Sequence, residues 1–397
     1  MKITLIDFVA NHGGGLRYSS EVVKSFVNLY PDARFRIISS SIGIQRYKDT
    51  INNIHKDKIK YLARDTSEIH KETKIAEKLY LKILGKKTLF FYNVEANLMK
   101  DSDIVWLPWL HSHRVLLSPE INPKKIFVTY HDNIIFKNKS LFSKKSIKKE
   151  FENVKRILNS EINFITTSKC TINELCELFR EKTKRFILIP VGWGVNNLKA
   201  STLKNQKIEN IIKENYFFVP SNIFNHKNHE ILFKVFSKKE IKRKYKLVLS
   251  GAGTEIVPLT TRRRLWLYIL LNFYGLKLNK NIFGFGYISE NEYLSLLRNA
   301  NAVIIPSKAE GGGSFPVFEA LSEGIPVIAS NICPIKEQIS IAKAKIDFFD
   351  PYSSESLFKT ILKYDLMQKN FDQSGKNFKG RSWKDVATEL MRRFKDI

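Results

Sequence analysis

Short apolar runs alternate with longer stretches of helical periodicity along the whole chain. In the first half, the runs that predict β-strands cover 2–8, 34–39, 103–109, 125–131, 163–168 and 185–191. In the second half they cover 216–221, 245–251, 281–286, 302–307, 326–330 and 345–350. Many runs are continuously apolar rather than alternating, which is typical of parallel strands covered on both faces. Both halves are therefore predicted to be doubly wound α/β units with Rossmann-like parallel sheets.

A polar stretch at 196–215 separates the two sets of strands and is the predicted linker. The chain has 397 residues, which is too many for one ordinary core and suits two domains. We expect an N-terminal domain over 1–195 and a second domain over 216–380. The last segment, 381–397, is predicted to be a helix that packs back towards the first domain.

The composition is that of a globular protein, because 43% of the residues are hydrophobic. The opening run "MKITLIDFVA" is too short for the apolar core of a signal peptide, and no segment has the length of a membrane span. We therefore expect a cytoplasmic protein. The net charge of +27 permits two interpretations, which are a lysine-rich solvated surface and attraction to a polyanion such as nucleic acid or an anionic membrane.

The glycine-rich and polar segments follow predicted strands, where parallel sheets bind their ligands. These segments are "NHGGGLRY", "HD" at 131–132, "NHKNH" and "EGGGSF". The last continues as "EGGGSFPVFEALSEG", in which Phe315 is the predicted helix start. Pro316 suits the first helical turn and Gly324 suits the helix end.

Glycines before a helix leave backbone N–H groups in a concavity that can bind an anion, typically a phosphate. Glu319 lies about one turn into the helix, where its carboxylate can accept hydrogen bonds from two vicinal hydroxyls such as those of a ribose. Glu310 precedes the glycines, on the side where the rest of the ligand would lie. A tight connection with two surface acids is the alternative, but the two acids in register with the strand favour a site. The predicted donor-binding residues of this segment are Gly312, Gly313, Ser314, Phe315 and Glu319.

The segment "PSKAEGGGSFPVFEALSEGIPVIAS" resembles the signature of the retaining GT-B glycosyltransferases of family four. Six further segments resemble the same family, in the family's order and along nearly the whole chain. They are "GGGLRYSSEV", "VTYHDNI", "ITTSKCTINEL", "YFFVPSNIFNHKNH", "FGYISENEYLSLLRNANAVIIPS" and "SWKDVATELMRRF". The resemblance implies a GT-B fold, with two Rossmann-like domains that face a central cleft. The first would lie on the acceptor side and the second would bind the nucleotide sugar. One departure is that eight residues separate Glu310 from Glu319, where the family has seven.

The resemblance also implies roles for single residues. Lys227 would be the cation that binds the donor diphosphate, although the arginine that often precedes it in the family is replaced here by Asn225 and His226. Glu310 would position the donor sugar and its developing charge, and His131 would contact that sugar, so these two are the catalytic candidates. The glycines that open the first helix would approach the donor phosphates or the acceptor, and they are Gly13 and Gly14, with the helix starting at about Leu16.

We expect neither a cofactor nor a metal ion. The segment "GGGLRY" does not have the GxGxxG spacing of a nicotinamide site. The "DSD" at 101–103 resembles the Asp-x-Asp that holds Mn²⁺ in the other major glycosyltransferase fold, but it precedes its strand and so lies at the wrong end. Lys227 and backbone N–H groups would meet the charge of the leaving group instead.

The expected function is transfer of a hexosyl unit from a nucleotide-diphosphate sugar to a hydroxyl of a carbohydrate or lipid-linked saccharide, with retention, in lipopolysaccharide, capsule or glycolipid synthesis. One alternative is a basic nucleic-acid-binding protein, but the sequence has no RNA-binding signature and we expect no nucleic-acid partner. The other is a GT-B phosphorylase or epimerase. The pyridoxal lysine that such a phosphorylase needs could not be located.

Two segments could contact an anionic membrane on its inner, cytoplasmic face, as a peripheral protein does. The segment 137–156 has eight basic and two acidic residues, and its predicted buried stripe is Phe151, Val154, Ile157 and Leu158, with lysines outward. A merely solvated helix face is the alternative. The segment 262–273 could be an interfacial helix, but we favour a helix buried against the second sheet.

Overall fold

The structure is a computed structural model that describes residues 1–8, 13–51, 57–63, 99–110, 122–193, 205–256, 261–367 and 380–396. The chain divides into two compact units. Unit 1 contains Met1–Gly192 and Arg381–Ile397, and unit 2 contains Trp193–Gly380. Each unit is built on one sheet in which every described strand pair is parallel.

The sheet of unit 1 has the strand order β3-β2-β1-β4-β5-β6-β7. Its strands are β1 (Lys2–Ile6), β2 (Arg34–Ser39), β3 (Ile59–Ala63), β4 (Ile104–Leu107), β5 (Ile126–Tyr130), β6 (Asn163–Thr166) and β7 (Phe186–Leu188). The α-helices are α1 (Gly14–Leu29), α2 (Ser41–Ile51), α3 (Ile134–Lys137), α4 (Lys144–Leu158), α5 (Lys169–Phe179) and, from the end of the chain, α14 (Trp383–Lys395).

The sheet of unit 2 has the strand order β10-β9-β8-β11-β12-β13. Its strands are β8 (Tyr216–Pro220), β9 (Lys246–Ser250), β10 (Ile282–Gly284), β11 (Ala302–Ile305), β12 (Val327–Ser330) and β13 (Asp347–Phe349). The α-helices are α6 (Gln206–Ile211), α7 (His229–Phe236), α8 (Lys239–Lys242), α9 (Arg262–Phe273), α10 (Glu290–Arg298), α11 (Phe315–Ser322), α12 (Cys333–Ala342) and α13 (Ser354–Met367).

All twelve predicted strands are present, and each lies inside its predicted range. Strands β4, β5, β8, β11 and β12 are buried along their whole length, as expected where helices cover both faces of a parallel sheet. Strand β3 was not predicted. It lies at the edge of its sheet, where only Ile59 is buried, and Lys60 interrupts the apolar residues of its sequence IKYLA.

Serine side chains start several helices, because a hydroxyl oxygen can accept a bond from an N–H group that has no partner within the helix. The Ser168 side chain accepts from the N–H of Thr171 at 3.0 Å, at the start of α5. Ser289 and Ser382 form capping boxes with Glu292 and Asp385 at the starts of α10 and α14.

Helix α14 packs on α1 within unit 1. The rings of Phe26 and Phe394 lie 5.8 Å apart, and those of Tyr18 and Trp383 lie 5.9 Å apart. The chain passes so close to α14 at Gly192 that an added Cβ there would lie 2.9 Å from the carbonyl oxygen of Ser382. A side chain at this position would therefore displace the start of α14.

The predicted linker differs from the structure in its second part. Helix α6 forms at Gln206–Ile211, and it buries Ile208 and Ile211. Two apolar residues three positions apart share one helix face, which is enough to fix a short helix on unit 2. The first part of the predicted linker, 196–204, lies outside the described residues.

Helix α4 buries Val154, Ile157 and Leu158 as predicted, but Phe151 is 39% exposed and stacks on Phe179 instead. Glu150 is buried in its place. The lysines of the helix are exposed. Because the Glu150 side chain faces inward, it interacts with the hydroxyl of Tyr130, whose pKa is raised first by burial and then by this carboxylate.

Helix α9 corrects a prediction, since we expected it to be buried against the second sheet. It buries only Leu267 and Leu271 fully, whereas Trp266, Ile269 and Phe273 are exposed. The prediction failed because the helix has apolar residues on both faces. Its sequence pattern therefore does not show which face packs against the rest of unit 2. Within the described ranges, no helix combines the length and the apolar character needed to cross a bilayer.

Candidate functional site

The polar residues of unit 2 converge because β8 and β11 are neighbours in its sheet. Parallel neighbours end at the same edge, so the segment after β8 and the segment after β11 meet there. The first carries Lys227 and the second carries Glu310. Lys227 Nζ lies 2.6 Å from Glu310 Oε1, and the two side chains form a salt bridge.

Backbone contacts fix this meeting of the two segments. The N–H of Lys308 donates to the carbonyl oxygen of His226 at 2.7 Å. Asn228 adopts a left-handed conformation with φ of 56°, and its side-chain amide donates to the carbonyls of Pro306 at 3.0 Å and Pro351 at 2.8 Å. One asparagine thus ties the segments after β8, β11 and β13 together.

The ion pair is largely screened from water. The Lys227 side chain is 18% exposed and that of Glu310 is 7% exposed. Charges that are partly removed from water interact more strongly than surface charges, and losing one partner leaves the other poorly solvated. The pair therefore presents one cation and one carboxylate, side by side, at the carboxyl edge of the sheet.

The glycine-rich loop before α11 is held by Gln338, which projects from α12. The side-chain oxygen of Gln338 accepts from the N–H of Ser314 at 3.0 Å, and its side-chain nitrogen donates to the carbonyl of Gly312 at 2.6 Å. Gly313 has φ of +146°, and an added Cβ would lie 1.0 Å from the Gln338 nitrogen. Only glycine fits at this position.

Gln338 also narrows the set of groups that could bind an anion. The N–H of Ser314, one of the predicted donor-binding residues, already donates to the side-chain oxygen of Gln338. Within the described part of the chain, no protein acceptor is recorded for the N–H groups of Gly312 and Gly313. These two amides therefore remain candidates for the predicted anion site. Sequence reasoning missed Gln338, which lies 24 positions after the loop.

Helix α11 starts at Phe315, has Pro316 in its first turn and is followed by Gly324 with φ of +72°, as the sequence predicted. It buries Glu319, which is only 6% exposed and accepts a hydrogen bond from the hydroxyl of Tyr293. The neighbouring Phe318 stacks on Trp193 with ring centroids 3.7 Å apart. The helix is thereby fixed in rotation, with the Glu319 carboxylate directed at the tyrosine of α10.

In unit 1, the glycines open α1 two residues earlier than predicted. Gly13 precedes the helix with φ of +118°, and Gly14 is its first residue. Gly15 packs against Trp109, whose ring lies 3.4 Å from the position of an added Cβ. Trp109 stacks on His131 with centroids 4.3 Å apart. The structure thus brings the glycines and His131 together through a tryptophan that the sequence analysis did not single out.

His131 is 7% exposed, and its Nε2 lies 2.8 Å from the carbonyl oxygen of Pro108. Tyr18 meets it edge-on at 4.7 Å. The adjacent Asp132 accepts from the N–H of Ile134 at 3.1 Å. The ring of His131 is therefore oriented by two aromatic contacts and one hydrogen bond.

His229, at the start of α7, is fully buried below the lysine segment. Burial, and then the positive charge of Arg263, lower its pKa to about 3. Its Nε2 lies 3.5 Å from the hydroxyl oxygen of Ser221. The imidazole is neutral near pH 7, so it adds no charge beside Lys227.

Asp101 and Asp103, the acidic residues of the "DSD" segment, make contacts with Lys2. Asp101 is 57% exposed and bonds to Lys2, and Asp103 accepts from the backbone N–H of Lys2 at 2.7 Å. Both precede β4, as the sequence indicated. Among the described residues, no group of three or more His, Cys, Asp and Glu side chains is placed to hold a metal ion.

Comparison with known proteins finds a family that is similar to the second part of the chain. Residues 201–379 match the model of the family described as glycosyl transferases group 1. The match covers almost all of unit 2, including the lysine segment, the glycine loop and both glutamates. A search of curated proteins finds no sequence match.

Solved structures match over the full chain. A glycosyltransferase from Rickettsia africae ESF-5 has 16% identity and a TM-score of 0.62, covering 100% of this chain and 98% of its own. HepE from Anabaena, in complex with UDP-glucose, has 12% identity and a TM-score of 0.68, with 100% of both chains covered. WaaG, a glycosyltransferase involved in lipopolysaccharide biosynthesis, has 12% identity and a TM-score of 0.62, with 98% of this chain and 95% of WaaG covered. At these identities the similarity shows the fold, and the GT-B fold class predicted from the sequence is confirmed.

Proposed function

We propose that the chain, a glycosyltransferase with a group 1 domain and the GT-B fold, moves a sugar from a nucleotide-diphosphate donor to an acceptor hydroxyl. The observation that carries this proposal is the Lys227–Glu310 pair beside the glycine loop. A nucleotide sugar has a diphosphate directly joined to a pyranose. It therefore matches a cation and a carboxylate that lie within one hydrogen-bond length of each other.

Lys227 would bind the diphosphate, and the N–H groups of Gly312 and Gly313 would add donors to it. Glu310 would accept hydrogen bonds from hydroxyls of the sugar. Before the donor binds, these two residues neutralise each other. Donor binding would give each a partner of its own, the phosphate for the lysine and the sugar for the glutamate.

Glu319 would bind the ribose hydroxyls, with Tyr293 holding its carboxylate in place. Glu319 is then not available as a second catalytic carboxylate, so a double displacement of the kind used by retaining glycosidases is not favoured. We propose a front-face displacement instead. The bond from the anomeric carbon to the phosphate oxygen breaks, and the bond to the acceptor oxygen forms on the same face. The acceptor proton passes to the leaving phosphate.

His131 would contact the donor sugar, and the glycines that open α1 would approach the donor phosphates or the acceptor. HepE binds UDP and UDP-glucose, which supports a nucleotide-sugar donor here. We propose an acceptor that is a saccharide or a lipid-linked saccharide, in the synthesis of a cell-surface glycan. WaaG supports this class of product.

We also propose that the protein acts at the inner face of the cytoplasmic membrane. The exposed lysines of α4 would bind anionic lipid headgroups, and each would contribute about 1 kcal/mol near such a surface. A lipid-linked acceptor in the membrane would then lie close to the protein, while the nucleotide sugar would enter from solution. Changing Lys144, Lys145, Lys148 and Lys149 to Glu should abolish the salt-sensitive part of co-sedimentation with anionic vesicles, while a short soluble acceptor remains a substrate.

Calorimetry with UDP, GDP and ADP in the presence of a chelator tests the donor site. We expect one nucleotide to bind without metal, because Lys227 and backbone amides supply the positive charge. Binding only with Mn²⁺ or Mg²⁺ would contradict this.

Product analysis with the sugar nucleotides of the preferred base then tests transfer and the retained anomeric configuration. Glu310→Gln is the control for the chemistry. Phosphorolysis or epimerisation without transfer would favour another GT-B enzyme.

A further inference from the structure

Helix α9 is apolar on two opposite sides. Leu267 and Leu271 are four positions apart and face the core of unit 2. On the other side, Leu265 is 39% exposed, Trp266 is 50% exposed, Ile269 is 51% exposed and Phe273 is 78% exposed. The spacing of 265, 269 and 273 by four residues forms one row, and Trp266 lies beside it. This row with Trp266 is the outer stripe of α9.

The outer stripe is an apolar surface about 12 Å long, given the rise of an α-helix. Single exposed apolar residues are ordinary on protein surfaces, but a continuous stripe on one helix marks a contact surface. A tryptophan in the stripe is significant because its ring is apolar while its indole N–H is polar. Such rings favour the boundary between lipid and water.

Basic residues flank the outer stripe at both ends. Arg262 is exposed at its start, and Lys277 and Lys280 are exposed just beyond its end. Lys242 donates to the carbonyl of Gly275 at 2.7 Å, which adds another cation at the carboxyl end of the helix. The acidic residues that touch α9, Glu230 and Glu255, are paired with Arg263 and Arg264.

We propose that α9 lies in the plane of an anionic bilayer surface, with its outer stripe among the acyl chains and the flanking cations at the phosphate level. Interfacial helices bind membranes by burial of an apolar face combined with attraction of basic residues to anionic lipids, and the outer stripe with its flanking cations offers both. A second copy of this chain is a less favourable occupant. Two such faces would bring like charges together on molecules that each carry a net charge of +27.

This surface differs from the lysines of α4 in the force that acts there. Attraction to lysines is screened by salt, since the Debye length falls to about 3 Å at 1 M. Burial of an apolar stripe is not screened. If α9 inserts, part of the vesicle binding must survive high salt and must depend on the outer stripe. The inference does not depend on which sugar or acceptor the enzyme uses.

The experiment measures binding to phosphatidylglycerol–phosphatidylcholine vesicles and to pure phosphatidylcholine vesicles, at low and high salt. The test variant is Leu265→Ser, Ile269→Ser, Phe273→Ser, in which Trp266 is kept as a reporter. The matched control is Ile42→Ser with Ile341→Ser, which removes apolar residues that are 64% and 41% exposed on other helices. All the changed side chains are exposed, so thermal unfolding and nucleotide binding should stay as in the wild type.

We expect the wild type and the control to bind anionic vesicles, with tryptophan emission moving to shorter wavelength. Among the five tryptophans, Trp266 is the exposed one, and the other four are buried or half-buried. The test variant should bind about 100-fold more weakly, because three apolar side chains no longer leave water. Nucleotide binding that persists in this variant separates the membrane surface from the donor site.

Three results would overturn the proposal. The test variant could bind vesicles as the wild type does. Binding of the wild type could disappear entirely at high salt, which would leave the lysines of α4 as the membrane contact. Sedimentation could show that the wild type is a dimer and the test variant a monomer while vesicle binding is unchanged, which would assign the outer stripe to a second copy.

Discussion

Helices α1 and α11 each come after a parallel strand and each have a run of three glycines near their start, yet their surroundings differ. The loop before α11 is fixed by the amide of Gln338 and lies beside the Lys227–Glu310 pair. At α1, Gly15 meets the ring of Trp109, which in turn stacks on His131. The same short motif is therefore combined with charged groups in one unit and with stacked rings in the other.

The difference teaches that a glycine run supplies only backbone geometry. Glycine permits left-handed conformations and a close approach of the chain to a ligand or a neighbour. The chemistry comes from the side chains that adjacent strands bring to the same edge. For α11 these side chains are a cation, two carboxylates and an amide, which suit a nucleotide sugar. For α1 they are an oriented imidazole and an indole, which suit the face of a sugar ring.

The two carboxylates of the α11 segment give the largest expected effect, because they are proposed to have different roles. Glu310→Gln should lower kcat by about 10²–10³ with little change in donor affinity, since it removes charge beside the reacting sugar. Glu319→Gln should raise KM about 10- to 100-fold through weaker hydrogen bonds to the ribose. Steady-state kinetics of these two matched variants checks the split. Equal effects of both on KM, with kcat intact, would show that the roles are assigned wrongly.

Alanine at the two left-handed glycines compares the loops directly. Gly313→Ala should lower the free energy of unfolding by about 3 kcal/mol or more, because strain adds to a collision with Gln338. A Cβ added at Gly13 would have no atom within 4 Å, so Gly13→Ala should lower the free energy of unfolding by only about 1 kcal/mol. Denaturant unfolding measures both changes. If Gly13→Ala is as destabilising as Gly313→Ala, the loop at α1 is as tightly held as the loop at α11.

His131 tests whether the α1 side takes part in the chemistry. His131→Phe keeps a ring that can stack on Trp109 but removes both ring nitrogens. Loss of the hydrogen bond between Nε2 and the Pro108 carbonyl should cost about 1 kcal/mol of stability, and loss of the proposed bond to the sugar should lower kcat/KM about tenfold. Kinetics and thermal unfolding of the same variant separate the two effects. Unchanged kinetics would leave His131 with a structural role only.

His229 gives an effect that is absent near pH 7 and appears only on acidification, and it is specific to the α11 side. The pKa of His229 is about 3 in the folded protein and near 6.5 when unfolded, so the unfolded state binds more protons in between. Stability is complete above about pH 6.5 and falls with acidification by up to about 1.4 kcal/mol per pH unit. His229→Phe should flatten this dependence, and His226→Gln is the control on a more exposed histidine. Identical pH dependence in all three proteins would contradict the assignment.

The sequence was sufficient for most of the sheet framework, because long apolar runs identify strands that are buried on both faces. It failed at β3, where Lys60 interrupts the run at an exposed sheet edge. It also failed at α9, because periodicity shows that a helix has an apolar face but not which of two such faces the protein covers. Trp266 and Leu267 are adjacent in sequence, and only one of them is buried.

The candidate site could be predicted as far as strand order allows. Lys227 and Glu310 both follow strands, and the adjacency of β8 and β11 explains why they meet. Their direct ion pair could not be foreseen, because side-chain geometry depends on the segments that Asn228 ties together. Gln338 was missed for a similar reason, since nothing in the glycine motif indicates that a residue of a later helix completes it.

The division of the chain has a consequence for its synthesis. Unit 1 is completed by α14, whose Phe394 packs on Phe26 and Phe127. A ribosome adds about 5–20 residues per second. Phe26 and Phe127 therefore lack Phe394 as a packing partner until all of unit 2 has been synthesised. During that interval the surface that α14 will cover is open to water and to other chains. Unit 2 is continuous in sequence and can complete its own core before the last helix emerges.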